Sequence, residues 1–271
     1  MRFGIYVPTS GEYDVATLAA LAREVEELGY DGMFLWDNIL TTFDGSGILD
    51  DATVALTAVV LATTRIHCGP LVTPLTRRRP WKVAKETATL DRLSGGRLVL
   101  GVGLGGTWDF APFGEAAPGP ERGAMLDEAL QVLTACWRGT DVHLHGGHFT
   151  VDGARMLPVP VQQPRIPIWT AGYWPGRAPF RRAARWDGIA PLRRGELFAG
   201  LRPEEFAACL AFVGKHRTDS GPFDAVYFHT EPGGPGVDEY EQTGVTWWLE
   251  STNPATESLA EFRRRLRSRT G

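Results

Sequence analysis

The feature that most constrains this chain is an alternation of short apolar runs with amphipathic helical patterns, repeated eight times. Strands are expected at about 2–7, 32–36, 65–72, 97–104, 166–171, 187–190, 224–229 and 245–250. Helices are expected near 14–28, 51–64, 80–93, 120–138, 178–186, 203–217, 237–243 and 255–268. Repeated βα units impose parallel strands, because a parallel neighbour needs a crossover and the helix supplies it. Eight of them predict an α/β fold of the closed (β/α)8 TIM-barrel type rather than an open doubly wound sheet. The open alternative also lacks its glycine fingerprint, since the first strand runs into Pro8, Thr9, Ser10 and Gly11.

Local signals agree with that period. Asp14 is placed to cap the first helix and Gly29 to end it, Pro80 and Pro203 suit first turns, and Pro254 stands ahead of the last helix. Residues 90–106 compress one whole unit: a helix stopping at Gly95 and Gly96, an apolar strand, then a loop with Gly103, Gly105 and Gly106. One stretch breaks the rhythm. Residues 142–151 read as a β-hairpin inserted between the fourth helix and fifth strand, followed by a proline-rich run at 158–167. Strand alternation puts His143 and His145 on one face, but the turn reverses the chain before His148, so they are read as solvated and no metal site is expected.

Length and charge narrow the function classes. A chain of 271 residues, 43% apolar, suits a single barrel domain over 1–271. A net charge of −4 with mixed signs gives no footprint for nucleic acid, and no run approaches the ~18 apolar residues of a membrane span. The first residues read straight into a strand without a leader, which gives a cytoplasmic expectation. Cys68, Cys136 and Cys209 form no Cys-x-x-Cys pair, so buried free thiols are expected.

A barrel of this kind carries its site at the C-terminal strand ends. Those ends hold Trp36, Asp37 and Asn38 after the second strand, the glycine loop with Trp108 after the fourth, Ala171 to Arg177 after the fifth, and Trp247 to Glu250 in the eighth. They are rich in aromatics and glycine. No Ser/His/Asp set, paired carboxylates, phosphate loop or Schiff-base lysine stands there, which suits a planar cofactor that brings its own reactivity.

Five stretches carry a family resemblance: Glu26-Glu-Leu-Gly-Tyr-Asp-Gly-Met-Phe-Leu-Trp-Asp37, Ala62-Thr-Thr-Arg-Ile-His-Cys-Gly69, Val72-Thr-Pro-Leu-Thr-Arg-Arg-Arg-Pro-Trp81, residues 90–105 and residues 157–169. The chain resembles the luciferase-like monooxygenase superfamily of flavin- and deazaflavin-dependent oxidoreductases over nearly its whole length. The resemblance implies reduced FMN, or alternatively coenzyme F420, and a small apolar or aromatic organic substrate. The chemistry implied is monooxygenation or, with F420, hydride transfer; a non-catalytic flavin-binding barrel is the alternative of another class. It further implies a homodimer, for which the apolar run at 52–62 is available, and a separate flavin reductase as partner.

By the same resemblance, Asp37 and Asn38 stand where the family usually carries Asp-His. Asparagine is no tunable proton donor, so Asn38 is a catalytic candidate through hydrogen bonding alone. Pro70, Leu71 and Thr73 fall where a strand-end bulge or non-proline cis peptide braces the ring. Gly103 and Gly105 make room beside it, and Ala171, Gly172, Tyr173, Trp174 and Arg177 are the phosphate loop. Arg77, Arg78 and Arg79 meet an acidic cofactor tail or are surface charges. Trp36 and Trp108 wall the substrate, with Trp247 if it is the indole of its pair that faces inward. Glu250 is either the ionisable group opposite the ring or a rim carboxylate paired with an arginine.

Overall fold

Helices begin where the sequence offers a cap. The Asp14 carboxylate accepts from the Thr17 amide at 2.7 Å ahead of α1 (Val15–Glu27). Asp51 accepts from Thr53 and Val54 at 2.9 and 3.0 Å ahead of α2 (Ala52–Ala62). Pro80 opens α3 (Pro80–Ser94), which ends on Gly95 at φ 69°, a left-handed position that glycine adopts without penalty. The remaining helices are α4 (Thr107–Phe110), α5 (Gly119–Trp137), α6 (Ala178–Ala183), α7 (Pro203–His216), α8 (Val237–Glu241) and α9 (Leu259–Ser268). The computed structural model describes residues 1–40, 49–115, 118–195, 200–230 and 236–268.

The strands are β1 (Arg2–Val7), β2 (Gly32–Leu35), β3 (His67–Pro70), β4 (Thr73–Pro74), β5 (Leu100–Gly103), β6 (Val142–His145), β7 (Thr150–Ala154), β8 (Ile168–Trp174), β9 (Gly188–Arg193), β10 (Asp224–His229) and β11 (Trp247–Ser251). Nine of them pair in parallel in the order β3-β2-β1-β11-β10-β9-β8-β5-β4. The expected third strand is here one stave in two pieces. β3 follows β2 as far as Pro70 opposite Leu35, and β4 then pairs with β5 through Thr73 and Val102. The break falls where Pro70 lacks an N–H for the ladder and Leu71–Val72 is a cis peptide. A parallel bridge between Cys68 and Leu98 closes the circle, with Cys68 N donating to Arg97 O at 3.1 Å and Val99 N to Cys68 O at 2.9 Å. The eight staves thus form a TIM barrel.

The hairpin β6/β7 lies outside this sheet and is antiparallel, as its pattern predicts. His143 bonds Asp152 across it at 2.7 Å, both side chains well exposed. The three cysteines are buried free thiols.

Two apolar layers result. α1, α2, α3 and α5 pack on one arc of the barrel, and α6, α7 and α8 on the other. Inside, Phe34, Trp169 and Trp247 form an aromatic floor, with ring centroids 5.0–5.6 Å apart. Two glycines make room for the indoles. A Cβ on Gly32 would lie 2.8 Å from the Trp247 ring, and one on Gly188 would collide with Trp169. Trp247 therefore faces the barrel interior, but as floor, fully buried at the N-terminal part of its strand.

Trp247→Ala should cost about 3–5 kcal/mol, the scale for deleting a large buried aromatic. Denaturant unfolding checks this; wild-type stability combined with altered ligand binding would return Trp247 to the substrate wall.

Candidate active site

All eight staves contribute to one cleft at the C-terminal ends of the strands. Strand ends supply Tyr6, Tyr173, Leu192, Phe228 and Ser251; Trp36, Asp37 and Asn38 follow β2. Val72 stands in the break between β3 and β4, and Gly105, Gly106, Trp108 and Asp109 follow β5. The cleft measures about 160 Å³. Tyr6 ties one wall together, 5.7 Å from the Trp36 ring and 4.9 Å from Phe228. Gly106 lets Trp108 lie against the main chain, since a Cβ there would collide with the indole nitrogen.

Two carboxylates enter the lining, each held from behind. The Thr73 hydroxyl donates to Asp37 Oδ2 at 2.6 Å, and an Arg78 Nη1 stands 3.7 Å from the same oxygen. Burial pushes the Asp37 carboxyl above the usual carboxylate range, and Thr73 and Arg78 offset this only in part. Asp109 is 2% exposed and accepts from the Ile39 and Leu40 amides at 3.0 and 2.8 Å and from Arg77 Nη1 at 2.8 Å. Arg77 also bonds Glu115 and stacks 4.0 Å over Phe110. The chain after β2 is thus fastened to α4 through Asp109, whose carboxylate is itself paired with Arg77. The Asn38 amide donates to the Leu40 carbonyl within the same segment.

Two of the three arginines in the run are held in ion pairs. Arg77 and Arg78 are committed to Asp109, Glu115, Asp37 and Glu86, while exposed Arg79 lies near Trp81.

Of the residues singled out from sequence, the cleft brings together Trp36, Asp37, Asn38, Gly105, Trp108 and Tyr173. Thr73 touches it through Asp37, and Leu71 lies beneath it in the barrel interior. Pro70 faces α2 and α3, Gly103 backs Val72, and Ala171 packs against the interior cluster. Gly172 accommodates Pro179, where a Cβ would collide. Trp174 and Arg177 turn to α6 and α7: the Trp174 ring meets Phe180, and the Arg177 guanidinium covers the Trp174 and Phe212 rings at 4.9 and 4.6 Å.

Glu250 does not reach the mouth. In β11, Trp247, Leu249 and Ser251 point inward, so Trp248 and Glu250 point to the helices. The Glu250 carboxylate binds Trp248 Nε1 and His229 Nδ1, each at 2.9 Å, and Arg265 Nη1 at 2.5 Å. Burial works to raise its carboxyl, but His229, Trp248 and Arg265 outweigh that and hold it below the usual range. The paired-carboxylate reading is the one the structure supports.

Tyr6, Leu192, Phe228 and Ser251 carry no loop signal in the sequence, because each sits within the end of a strand. Once Trp247 is known to face inward, the period of two points to Ser251.

A family model described as luciferase-like monooxygenase matches residues 1–192. An F420-dependent glucose-6-phosphate dehydrogenase of Nakamurella multipartita is 33% identical over 174 residues, covering 64% of this chain and 51% of that protein. One of Microbacterium testaceum is 32% identical, with 64% and 52% covered. The chain spans about half the length of the curated relatives it matches. Among solved structures, the F420-dependent tetrahydromethanopterin reductase of Methanopyrus kandleri superposes with a TM-score of 0.78 at 16% identity, covering 99% of this chain and 97% of that one. An F420-dependent secondary alcohol dehydrogenase bound to an F420–acetone adduct gives 0.80 at 16%, with 97% and 96% covered; at such identity both show the fold.

Because its native carboxyl is raised, Asp37 contributes stability that is present at acid pH and lost as pH climbs from the ordinary aspartate range through the native value. Urea unfolding at a series of pH values should show this slope flattened in Asp37→Asn; an unchanged slope would clear Asp37 of it.

Proposed function

The chain belongs to the luciferase-like monooxygenase family, and on that premise we propose that it is a deazaflavin-dependent oxidoreductase. It would take coenzyme F420 at the strand ends and move a hydride to or from a small apolar or aromatic molecule. The observation that carries this is a cleft fed by every stave, walled by aromatic rings, with no three His, Cys, Asp or Glu grouped to hold a metal among the described residues. Such a lining supplies position and dryness, and the reactivity comes with a cofactor. F420 is preferred to FMN because the relatives matching 64% of this chain carry that coenzyme in their names. The phosphorylated sugar in those names is not part of the proposal.

The residues fit a planar ring. Tyr6, Trp36 and Phe228 offer rings, Val72 an aliphatic face, and Gly105 and Gly106 a stretch of main chain without side chains. When bound, the deazaflavin supplies hydride transfer, and FMN in its place would supply hydride transfer or dioxygen activation. The chain itself would orient the ring between these walls and exclude water with Trp108. The raised Asp37 carboxyl, in the lining of the cleft, holds its proton to higher pH than an ordinary aspartate. Outside the cleft lining, exposed Arg177, stacked on Trp174 and Phe212, and exposed Arg194, beside Gly176, would meet the coenzyme's phosphate. The proposal includes a homodimer through α2, whose Val54 and Leu61 are 59% and 68% exposed.

Fluorescence titration with F420 and absorbance titration with FMN test this directly. F420 should bind, and Arg177→Ala should weaken it about tenfold, the worth of one charge-assisted contact. Binding of FMN alone would replace the deazaflavin reading by the flavin one, and binding of neither would end both.

A further inference from the structure

Among the described residues, the cleft is lined by a buried hydroxyl that has no hydrogen-bond partner. Ser251 is 1% exposed, its Oγ has no hydrogen-bond partner among the described residues, and it lines the cleft as the last inward residue of β11. The strand end is fixed, because Arg265 Nη2 donates to the Ser251 carbonyl at 2.8 Å. A buried hydroxyl without a partner is unfavourable unless a ligand completes it. The same lining holds Tyr6, Leu192 and Phe228, which offer apolar surface.

Charge supplies the second, independent constraint. Among the described residues the lining contains Asp37 and Asp109 and no lysine, arginine or histidine. The neighbouring Arg77 and Arg78 are already paired with carboxylates. An anion placed beside Asp37 would lose its water, meet no cation and face a like charge.

We propose that this cleft selects an uncharged molecule bearing one hydroxyl or carbonyl oxygen, hydrogen-bonded to Ser251 Oγ, and rejects carboxylates and phosphate esters. The serine hydroxyl can donate to a carbonyl or accept from an alcohol, so both redox levels of such a ligand are held by the same atom. This rests on the reading of the cleft as a small-molecule redox site, and it narrows the substrate class within it.

Calorimetric titration of the whole chain with benzyl alcohol, toluene, benzoate and benzyl phosphate tests the inference. Benzyl alcohol should bind about fivefold tighter than toluene, the worth of one neutral hydrogen bond, with both anions weaker than either. Ser251→Ala should remove the advantage of the alcohol and leave toluene unchanged. Equal losses for alcohol and toluene would mark Ser251 as merely structural and overturn the proposal, as would an anion binding as well as the alcohol, or no binding of the alcohol. The F420 and FMN titrations are read separately. Cofactor binding with no effect of Ser251→Ala sinks this inference alone, whereas failure of both cofactors sinks the redox reading while the ligand order still decides the anchor.

Discussion

Closure of the parallel sheet at the third stave is the constraint on which the rest of the molecule depends. An open parallel sheet would leave two unpaired edges, and here the edges meet through the Cys68–Leu98 bridge and the pairing of Thr73 with Val102. The stave achieves both by stepping out of register after Pro70, so one half serves β2 and the other β5. That step places Val72 in the cleft and brings the Thr73 hydroxyl onto Asp37. Barrel closure and the construction of the site are therefore one event.

Above an aromatic floor the site is organised by charge burial. Asp109 and Arg77 form a nearly dry pair whose remaining capacity is used on two main-chain amides, which is the condition under which a buried ion pair is tolerable. Asp37 lacks such full compensation and its carboxyl rises. Glu250, one strand face away, receives three donors and its carboxyl falls. Two acidic residues at strand ends thus acquire opposite character from their surroundings, and only the former lies in the cleft.

Much of the architecture was legible along the chain. Eight apolar runs separated by capped helical patterns required parallel crossovers, and Asp14, Pro80 and Gly95 act where their local chemistry predicts. The contributions of Trp36, Asp37, Asn38, Gly105, Trp108 and Tyr173 were legible too, since loops after barrel strands converge on one face. Inward and outward faces were not. A strand tells that Trp247 and Trp248 oppose each other, but which one the barrel encloses depends on room made by Gly32 in another strand.

The sequence by itself determined the period, the closed α/β architecture and the end of the barrel at which chemistry is to be sought, because caps, turns and hydrophobic alternation act within a few residues. The tertiary structure alone decided which side chains meet there. It turned Glu250 towards His229 and Arg265 and committed Arg77 to Asp109. It also left Ser251 in the cleft lining with its buried hydroxyl without a partner among the described residues. Those outcomes depend on strand register and on contacts between residues far apart in the chain, which no local pattern encodes.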